Sequence, residues 1–200
     1  MNKAPSLFIA VVILFLAVQP APAKTSSSLR NATVLIIRHA EKPDIGKDLS
    51  PAGVKRAQAY PAFFQALRLD HQPVKLDRLF AAPKSKNSDR CRETLQPLSR
   101  ALQLKLNTNF DLSQSEQLAD KVRHSSRAET ILICWHHGAM PNLLQAFGAS
   151  PQALLSGGKW PEDVFGWLVI LHYDARGKLS AHVMNEGITR DDNQHPPPSS

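Results

Sequence analysis

Two runs of apolar, mostly β-branched residues constrain the fold of this chain more than any other feature. Residues 33–37 read Thr-Val-Leu-Ile-Ile, and residues 130–135 read Thr-Ile-Leu-Ile-Cys-Trp. Runs without polar alternation are typical of strands that helices cover on both faces. Arg38 and His39 directly follow the first run, and two histidines follow the second. The sequence therefore predicts two buried strands that both end in histidine.

Helical patterns separate the predicted strands. Ser50 and Pro51 begin one helix, because a serine side chain can cap the free N–H groups and proline fits the first helical position. The remaining predicted elements are a strand at 78–82, a helix from about Arg90, a short strand at 104–106 and a helix at 116–127.

Two apolar segments near the C-terminal end form a hairpin pattern. Residues 165–173 and 179–184 are joined by a short linker in which Gly177 can supply a positive φ. Strands that alternate with helices and end in a hairpin predict a three-layer α/β/α domain. Its central sheet should be mixed and mostly parallel, with the antiparallel hairpin at its edge.

The chain begins with the pattern of a secretory signal peptide. Lys3 precedes an apolar run that is shorter than the roughly 20 residues of a membrane-spanning helix. We therefore predict a periplasmic or secreted protein with no stable membrane span after cleavage. The predicted organisation is a signal peptide at 1–23, a flexible leader at 24–32, one domain at 33–189 and a disordered tail at 190–200.

The formal net charge of +7 favours anionic partners. No run of Lys and Arg interleaved with aromatic residues is present in the sequence, so nucleic acid is not a predicted partner. Cys91 and Cys134 leave two alternatives open, a disulfide in an oxidising compartment or free thiols. The apolar strand around Cys134 favours a buried free thiol.

Four positions carry a resemblance to a known family. Arg38 and His39 follow a predicted strand, and Arg90 lies four residues before a threonine on a predicted helix. His137 precedes a glycine after the second apolar run. In this order and context they resemble the signature of the histidine phosphatase superfamily, the phosphoglycerate mutase-like group, over about residues 34–184.

The resemblance implies a phosphoglycerate mutase-like fold in which the strands ending at His39 and His137 are neighbours. It also implies that His39 is the nucleophile and that Arg38, Arg90 and protonated His137 bind the phosphoryl group. The chemistry agrees, because phosphoryl transfer needs an unprotonated nucleophile and positive donors around the equatorial oxygens. Guanidinium groups bind phosphate bidentately, so no metal or cofactor is expected.

Two nearby residues have lesser expected roles. Arg92 is the alternative to Arg90 as the second arginine, and His136 is expected to be structural or peripheral. A zinc hydrolase built on His39, His136 and His137 is a competing hypothesis. The metal-type spacing of histidines and carboxylates that such a site uses does not accompany them in the sequence.

The proton donor for the leaving group is the least determined role. Some members of the family have an Asp after the second histidine, and Gly138 at that position excludes this variant. We predict Glu116 as the general acid, with Asp111 and Asp163 as alternatives. Glu116 stands at a predicted helix start, where a carboxylate equally suits the helix dipole.

The sequence as a whole predicts an exported, metal-independent phosphatase that hydrolyses phosphomonoesters through a phosphohistidine on His39. The expected substrate is a small phosphorylated molecule, and an envelope sugar phosphate is one candidate. A mutase is less favoured, because the short chain lacks obvious lid insertions. The alternatives are a phosphohistidine protein phosphatase and a non-catalytic phosphate- or phosphosugar-binding protein. The oligomeric state stays open.

Overall fold

The computed structural model describes residues 29–124 and 128–198. The strands in these ranges are β1 (Ala32–Arg38), β2 (Arg68–Leu69), β3 (Gln72–Pro73), β4 (Arg78–Ala81), β5 (Leu106–Asn107), β6 (Thr130–Trp135), β7 (Trp167–Tyr173) and β8 (Leu179–Asn185). The α-helices are α1 (Pro51–Ala66), α2 (Arg90–Leu102), α3 (Ser115–Arg123), α4 (Met140–Ala146) and α5 (Pro151–Leu154). Short 3-10 helices are His137–Ala139, Ser156–Gly158 and Asp191–Gln194.

Six of the described strands form one mixed sheet in the order β5-β4-β6-β1-β7-β8. The pairs from β5 to β1 are parallel, and β7 and β8 add the predicted antiparallel hairpin at the edge. Helix α1 packs against α2, and α3 packs against α4. The predicted α/β fold class with a mixed sheet is confirmed.

The short hairpin of β2 and β3 was not predicted. Its strands have two residues each, and Asp70 and His71 between them adopt φ angles of 47° and 64°. Glycine is the residue that usually marks such positive angles in a sequence. The turn therefore lacks the signal by which it could have been recognised.

The pairing of β1 with β6 brings the two histidine-bearing strand ends together. Arg38 lies opposite Trp135 in the parallel register. The backbone N–H of His39 donates to the carbonyl oxygen of Trp135 at 3.1 Å. The prediction that these two strands are neighbours is confirmed, and their carboxyl ends reach the same edge of the sheet.

Helix α1 begins as predicted, and its first turn lies against the chain that follows His39. The Ser50 hydroxyl accepts the N–H of Gly53 at 3.1 Å, and Pro51 occupies the first helical turn. A Cβ atom on Gly53 would lie 2.3 Å from the carbonyl oxygen of Glu41. Only glycine permits this approach, which positions the backbone just after the nucleophile candidate.

A buried ionic cluster joins α1 to the C-terminal part of the chain. The Arg56 guanidinium donates to Glu41 at 2.7 Å and to Asp192 at 2.6 Å. It also donates to Glu186 at 3.0 Å, and the Tyr60 hydroxyl donates to the same carboxyl group. Despite the opposing effect of burial, hydrogen bonds to Asp192 and Glu41 raise the pKa of Arg56. Burial raises the pKa of Glu186 to about 8.

The C-terminal residues differ from the predicted disordered tail at 190–200. Asp191–Gln194 form a 3-10 helix, and Asp192 is buried against Arg56. The Trp167 indole N–H donates to the carbonyl oxygen of His195 at 2.7 Å. The prediction relied on the absence of apolar side chains, whereas ionic and polar contacts hold this segment.

The described part of the predicted leader at 24–32 is also packed. Leu29 is buried, Ala32 begins β1, and the N–H of Asn31 donates to the carbonyl oxygen of Asp174 at 3.1 Å. The predicted signal peptide at 1–23 lies outside the described residues. Among the helices that the structure describes, none is both long and apolar enough to span a membrane.

Cys91 and Cys134 are both buried and carry free thiols. Burial raises the pKa of Cys134, and the nearby Cys91 acts in the same direction. The structure thus has the free-thiol alternative rather than the disulfide.

Replacement of Asp192 by Ala should destabilise the fold by about 3 kcal/mol, because it removes a partner of a buried charge. The control is Asp191→Ala, which alters the exposed neighbour in the same 3-10 helix and should change stability by less than about 0.5 kcal/mol. The free energy of unfolding is measured by urea denaturation. Equal stability of the two variants would contradict the role assigned to Asp192.

Candidate active site

His39 lies at the end of β1, and its side chain is fully buried. Its ring nitrogen Nδ1 lies 2.7 Å from the carbonyl oxygen of Ala40. A carbonyl can only accept, so Nδ1 carries the proton and Nε2 has the free lone pair. Among the described residues, Nε2 has no hydrogen-bond partner. The nitrogen that could attack phosphorus is therefore deprotonated and unoccupied.

The electrostatic environment keeps His39 neutral. Burial lowers its pKa to about 3, and the charges of Arg38 and Arg90 act in the same direction. The hydrogen bond to Ala40 opposes this shift without reversing it. The sequence-based requirement for an unprotonated nucleophile is thus met at neutral pH.

Arg38 is a fully buried cation held by backbone carbonyls of one segment. Its Nη1 donates to the carbonyl oxygens of Pro161, Glu162 and Val164 at 3.1, 2.7 and 2.9 Å. The Phe165 ring covers the guanidinium, with 3.9 Å from its centroid to the guanidinium carbon. Burial lowers the pKa of Arg38 to about 10, so the group stays charged at neutral pH.

Two further donors of Arg38 have no protein partner. Its Nε and Nη2 are buried, and neither has a hydrogen-bond partner among the described residues. Buried donors are nearly always satisfied in native proteins. Together with Nε2 of His39, the adjacent residue, they leave three unpaired polar atoms at the end of β1. An oxyanion bound there would accept from both Arg38 nitrogens.

Both the side chain and the backbone carbonyl of Arg90 are held by hydrogen bonds. Its Nη2 donates to the carbonyl oxygen of Gly46 at 2.6 Å, and its Nε donates to that of Asp48 at 3.3 Å. The Thr94 hydroxyl donates to the Arg90 carbonyl at 2.7 Å and accepts from the N–H of Ala40 at 2.9 Å. Thr94, four residues after Arg90, therefore connects the first turn of α2 to the backbone beside His39.

Arg92, the alternative to Arg90, has a different role in the structure. Its Nε donates to the Asp89 carboxylate at 2.7 Å, and the two residues form an ion pair at the start of α2. The charge of Arg90, by contrast, acts on both His39 and Arg38. The structure thus distinguishes Arg90 as the arginine beside the candidate nucleophile.

The two histidines after β6 lie in a row beside His39. The ring centroid of His136 lies 5.2 Å from that of His39, and that of His137 lies 4.6 Å from His136. His136 was expected to be structural or peripheral, and its packing against the nucleophile candidate fits the structural alternative. His137 is half-buried beyond it.

Both of these histidines are neutral in the free protein at neutral pH. Burial lowers the pKa of His136 to about 4 and also lowers that of His137, on which Arg38 acts in the same direction. Glu162 opposes the shift at His137. The resemblance implies a protonated His137 when a phosphoryl group is bound, and a bound anion would favour that charged form.

The carboxylates do not follow the order of preference predicted from the sequence. Glu116 is 71% exposed and lies 3.9 Å from Arg123 of its own helix, so the structure does not place it at the site. Asp111 lines a cavity together with His136, while Asp163 lines a different one beside Arg56. Hydrogen bonds from Ser113 lower the pKa of Asp111.

Glu162 is the carboxylate that the sequence analysis missed. Its side chain is exposed, and its charge raises the pKa of Arg38, as the charges of Asp163 and Glu41 also do, while it also raises the pKa of His137. Its own backbone carbonyl accepts from Arg38. No sequence motif marks this residue, because its proximity depends on a contact across 124 positions.

The loop between β4 and α2 contributes to the cavity beside His136, which we call the side cavity. Its volume is about 340 Å³. The loop residues Pro83, Ser85 and Ser88 line it, as do Leu112 and Asp111. In the described parts of the chain, no group of three or more His, Cys, Asp or Glu side chains is arranged to hold a metal ion.

Comparisons with known proteins place the fold. No family model matches the chain, and a search of curated proteins finds no significant match. The chain is 20% identical to a protein assigned as the phosphohistidine phosphatase SixA from Agrobacterium tumefaciens, with a TM-score of 0.50 over 75% of this chain and 96% of that one. The chain is 16% identical to a protein histidine phosphatase SixA complexed with tungstate, with a TM-score of 0.52 over 77% of this chain and 97% of that one. It is 11% identical to phosphoglycerate mutase from Bacillus anthracis, with a TM-score of 0.54 over 81% of this chain and 96% of that one.

These three solved structures are members of the histidine phosphatase superfamily. The chain has their fold, and the predicted phosphoglycerate mutase-like architecture is confirmed.

The protonation of His39 can be observed directly. We expect the ¹⁵N shifts of its ring to show an unprotonated Nε2 from pH 8 down to pH 4, with a titration midpoint near the pKa of about 3. The sign follows from burial, which disfavours the charged imidazolium. NMR titration of the free protein with ¹⁵N-labelled histidine provides the measurement. Protonation of Nε2 near pH 6 would contradict the assignment.

Proposed function

We propose that this protein is a phosphatase that hydrolyses phosphomonoesters through a phosphohistidine formed on Nε2 of His39. The observation that carries this proposal is the set of three buried, unpaired atoms described above. Nε2 of His39 supplies a lone pair, while Nε and Nη2 of Arg38 supply two charge-assisted donors. This combination of one nucleophile and adjacent cationic donors suits a phosphoryl group.

The first step transfers the phosphoryl group to the protein. The Nε2 lone pair forms a bond to phosphorus while the bond between phosphorus and the ester oxygen breaks in line with it. The ester oxygen takes the electron pair and leaves as an alcohol after it receives a proton. The Nδ1–H of His39 donates to the Ala40 carbonyl throughout, and this contact stabilises the positive charge that the ring acquires.

The second step releases phosphate. Water attacks phosphorus, the bond to Nε2 breaks, and the electron pair returns to the imidazole. The proton of the water passes to the base that remains after the first step. Arg38 and Arg90 offset the charge on the phosphoryl oxygens in both steps, which lowers the barrier without a change in the protein framework.

Glu162 is the proton donor in this proposal. Its backbone carbonyl accepts from Arg38 at 2.7 Å, which holds its exposed side chain beside the end of β1, and it donates in its protonated form. Asp111 is the alternative donor, because it lines the side cavity together with His136. Substrate entry requires Phe165 to shift, because His39 and Arg38 are fully buried beside it.

The substrate class of the proposal is a small phosphomonoester. A phosphohistidine protein phosphatase is the second candidate, supported by the structural similarity to the two SixA proteins. A non-catalytic phosphate-binding protein would use the same donors without turnover. The signal-like pattern at residues 1–23 supports action in the periplasm or outside the cell, where an envelope sugar phosphate is one available substrate.

Replacement of His39 by Asn should reduce the rate of phosphomonoester hydrolysis to below about a thousandth of the wild-type rate, because the nucleophile is lost. His71→Asn is the matched control, since His71 is exposed on the turn between β2 and β3. Hydrolysis is assayed over sugar phosphates, nucleotides and phosphohistidine with a chelator present, and the phosphorylated protein is trapped by acid-free quenching. A wild-type protein that binds phosphate but hydrolyses none of these would leave only the binding function.

Glu162→Gln should lower kcat for alkyl phosphates by about 10²-fold or more, because an amide cannot donate the required proton. Asp163→Asn changes the next carboxylate in the same segment and serves as the control, with an expected effect within about threefold. The comparison is made under single-turnover conditions. Equal losses in the two variants, or a larger loss in Asp111→Asn, would refute Glu162 as the donor.

A further inference from the structure

The side cavity lies next to the candidate nucleophile. His136 lines this cavity, and its ring centroid lies 5.2 Å from that of His39. Ser88 and Cys91, on either side of the phosphate-binding candidate Arg90, also line it. The side cavity is therefore adjacent to the proposed phosphoryl site.

The floor of the side cavity is apolar. Ala82, Pro83 and Leu112 line it together with the Cys91 thiol. Leu112 is 36% exposed, and contact of its apolar surface with water is unfavourable in free energy. A bound apolar group would remove this surface from water.

Ser85 and Ser113, which line the side cavity, already have hydrogen-bond partners within their own loops. The Ser85 hydroxyl donates to the Ser88 carbonyl oxygen at 3.3 Å and accepts from the Ser88 N–H at 3.0 Å. The Ser113 hydroxyl donates to Asp111 at 2.6 Å, and the Ser113 N–H donates to the same oxygen at 2.8 Å. Sugar hydroxyls need unoccupied partners in a binding site, and these residues offer few.

The charge of the lining acts against a second anion. Asp111 is the charged side chain among the residues that line the side cavity, and hydrogen bonds from Ser113 lower its pKa so that it is ionised at neutral pH. A bisphosphate or a phosphorylated carboxylic acid that extended into the side cavity would be repelled by this carboxylate.

On the basis of the proposed function, we infer that the natural substrate is a phosphomonoester of a hydrophobic alcohol, whose apolar group occupies the side cavity. The side cavity has a volume of about 340 Å³, within the range of small-molecule pockets, so a phenyl ring with a short alkyl linker fits in size. Specificity then comes from burial of the apolar group, while the phosphoryl group is held by Arg38 and Arg90.

Three phosphate esters of primary alcohols test this inference, because their leaving groups have similar chemistry. They are 3-phenylpropyl phosphate, ribose 5-phosphate and ethyl phosphate. We expect kcat/KM for 3-phenylpropyl phosphate to exceed that for ethyl phosphate by about tenfold or more. Ribose 5-phosphate should be no better than ethyl phosphate. A preference for ribose 5-phosphate over 3-phenylpropyl phosphate overturns the inference.

The variants Leu112→Asn and Leu102→Asn connect the preference to the side cavity. Both leucines are exposed, at 36% and 40%, but Leu102 lies at the end of α2 in a different groove. Leu112→Asn should reduce the ratio of 3-phenylpropyl to ethyl phosphate kcat/KM by about fivefold. Leu102→Asn should leave this ratio unchanged. The same ratio in both variants overturns the inference.

Binding to the His39→Asn protein separates this inference from the proposed function. If the wild type hydrolyses none of the three esters, the proposed function fails. Calorimetry with His39→Asn then compares the esters without turnover, and because all of them carry the same phosphoryl group, the difference in Kd reports the apolar group. A 3-phenylpropyl phosphate Kd about tenfold below that of ethyl phosphate supports the apolar site, and equal Kd values overturn it.

Discussion

The candidate site depends on the burial of one guanidinium group. Arg38 is buried, the described residues give it no direct ion pair, and three backbone carbonyls of the segment before β7 accept from its Nη1. Because a buried charge without such partners would be strongly destabilising, this segment must pack over the end of β1. The same contacts place Phe165 over the guanidinium and Glu162 beside it.

A second buried cation stabilises the surroundings of the nucleophile candidate. Arg56 bonds to Glu41, two residues after His39, and to Asp192 near the C-terminal end of the described chain. Gly53 lets the first turn of α1 approach the Glu41 backbone, and Thr94 holds the N–H of Ala40 from α2. The short connection after β1 is thus restrained by two helices and by the C-terminal 3-10 helix. This restraint preserves the hydrogen bond between His39 Nδ1 and the Ala40 carbonyl oxygen, which in turn fixes the direction in which Nε2 points.

Burial also determines the chemistry that the site can perform. It keeps His39, His136 and His137 neutral at neutral pH, although cations lie close to them. A dry site strengthens the attraction between Arg38 and an incoming phosphate, since the effective dielectric constant is low. Nε and Nη2 of Arg38 have no hydrogen-bond partner among the described residues, so an anion at this position would supply one. The mostly apolar side cavity lies next to His136 and hence next to this position.

The sequence by itself determined the elements whose signals are local. The apolar runs of β1 and β6, the Ser50 cap, the terminal hairpin and the Arg90–Thr94 spacing all depend on neighbours within a few residues, and each was recognisable. The placement of Arg38, His39 and Arg90 followed from these elements. Only the tertiary structure decided that His136 contacts His39, that Glu162 lies near Arg38 while Glu116 is remote, and that Asp192 is buried. These outcomes arise from contacts between residues about 100 or more positions apart, or from the direction of an exposed side chain, and neither leaves a periodic pattern in the sequence.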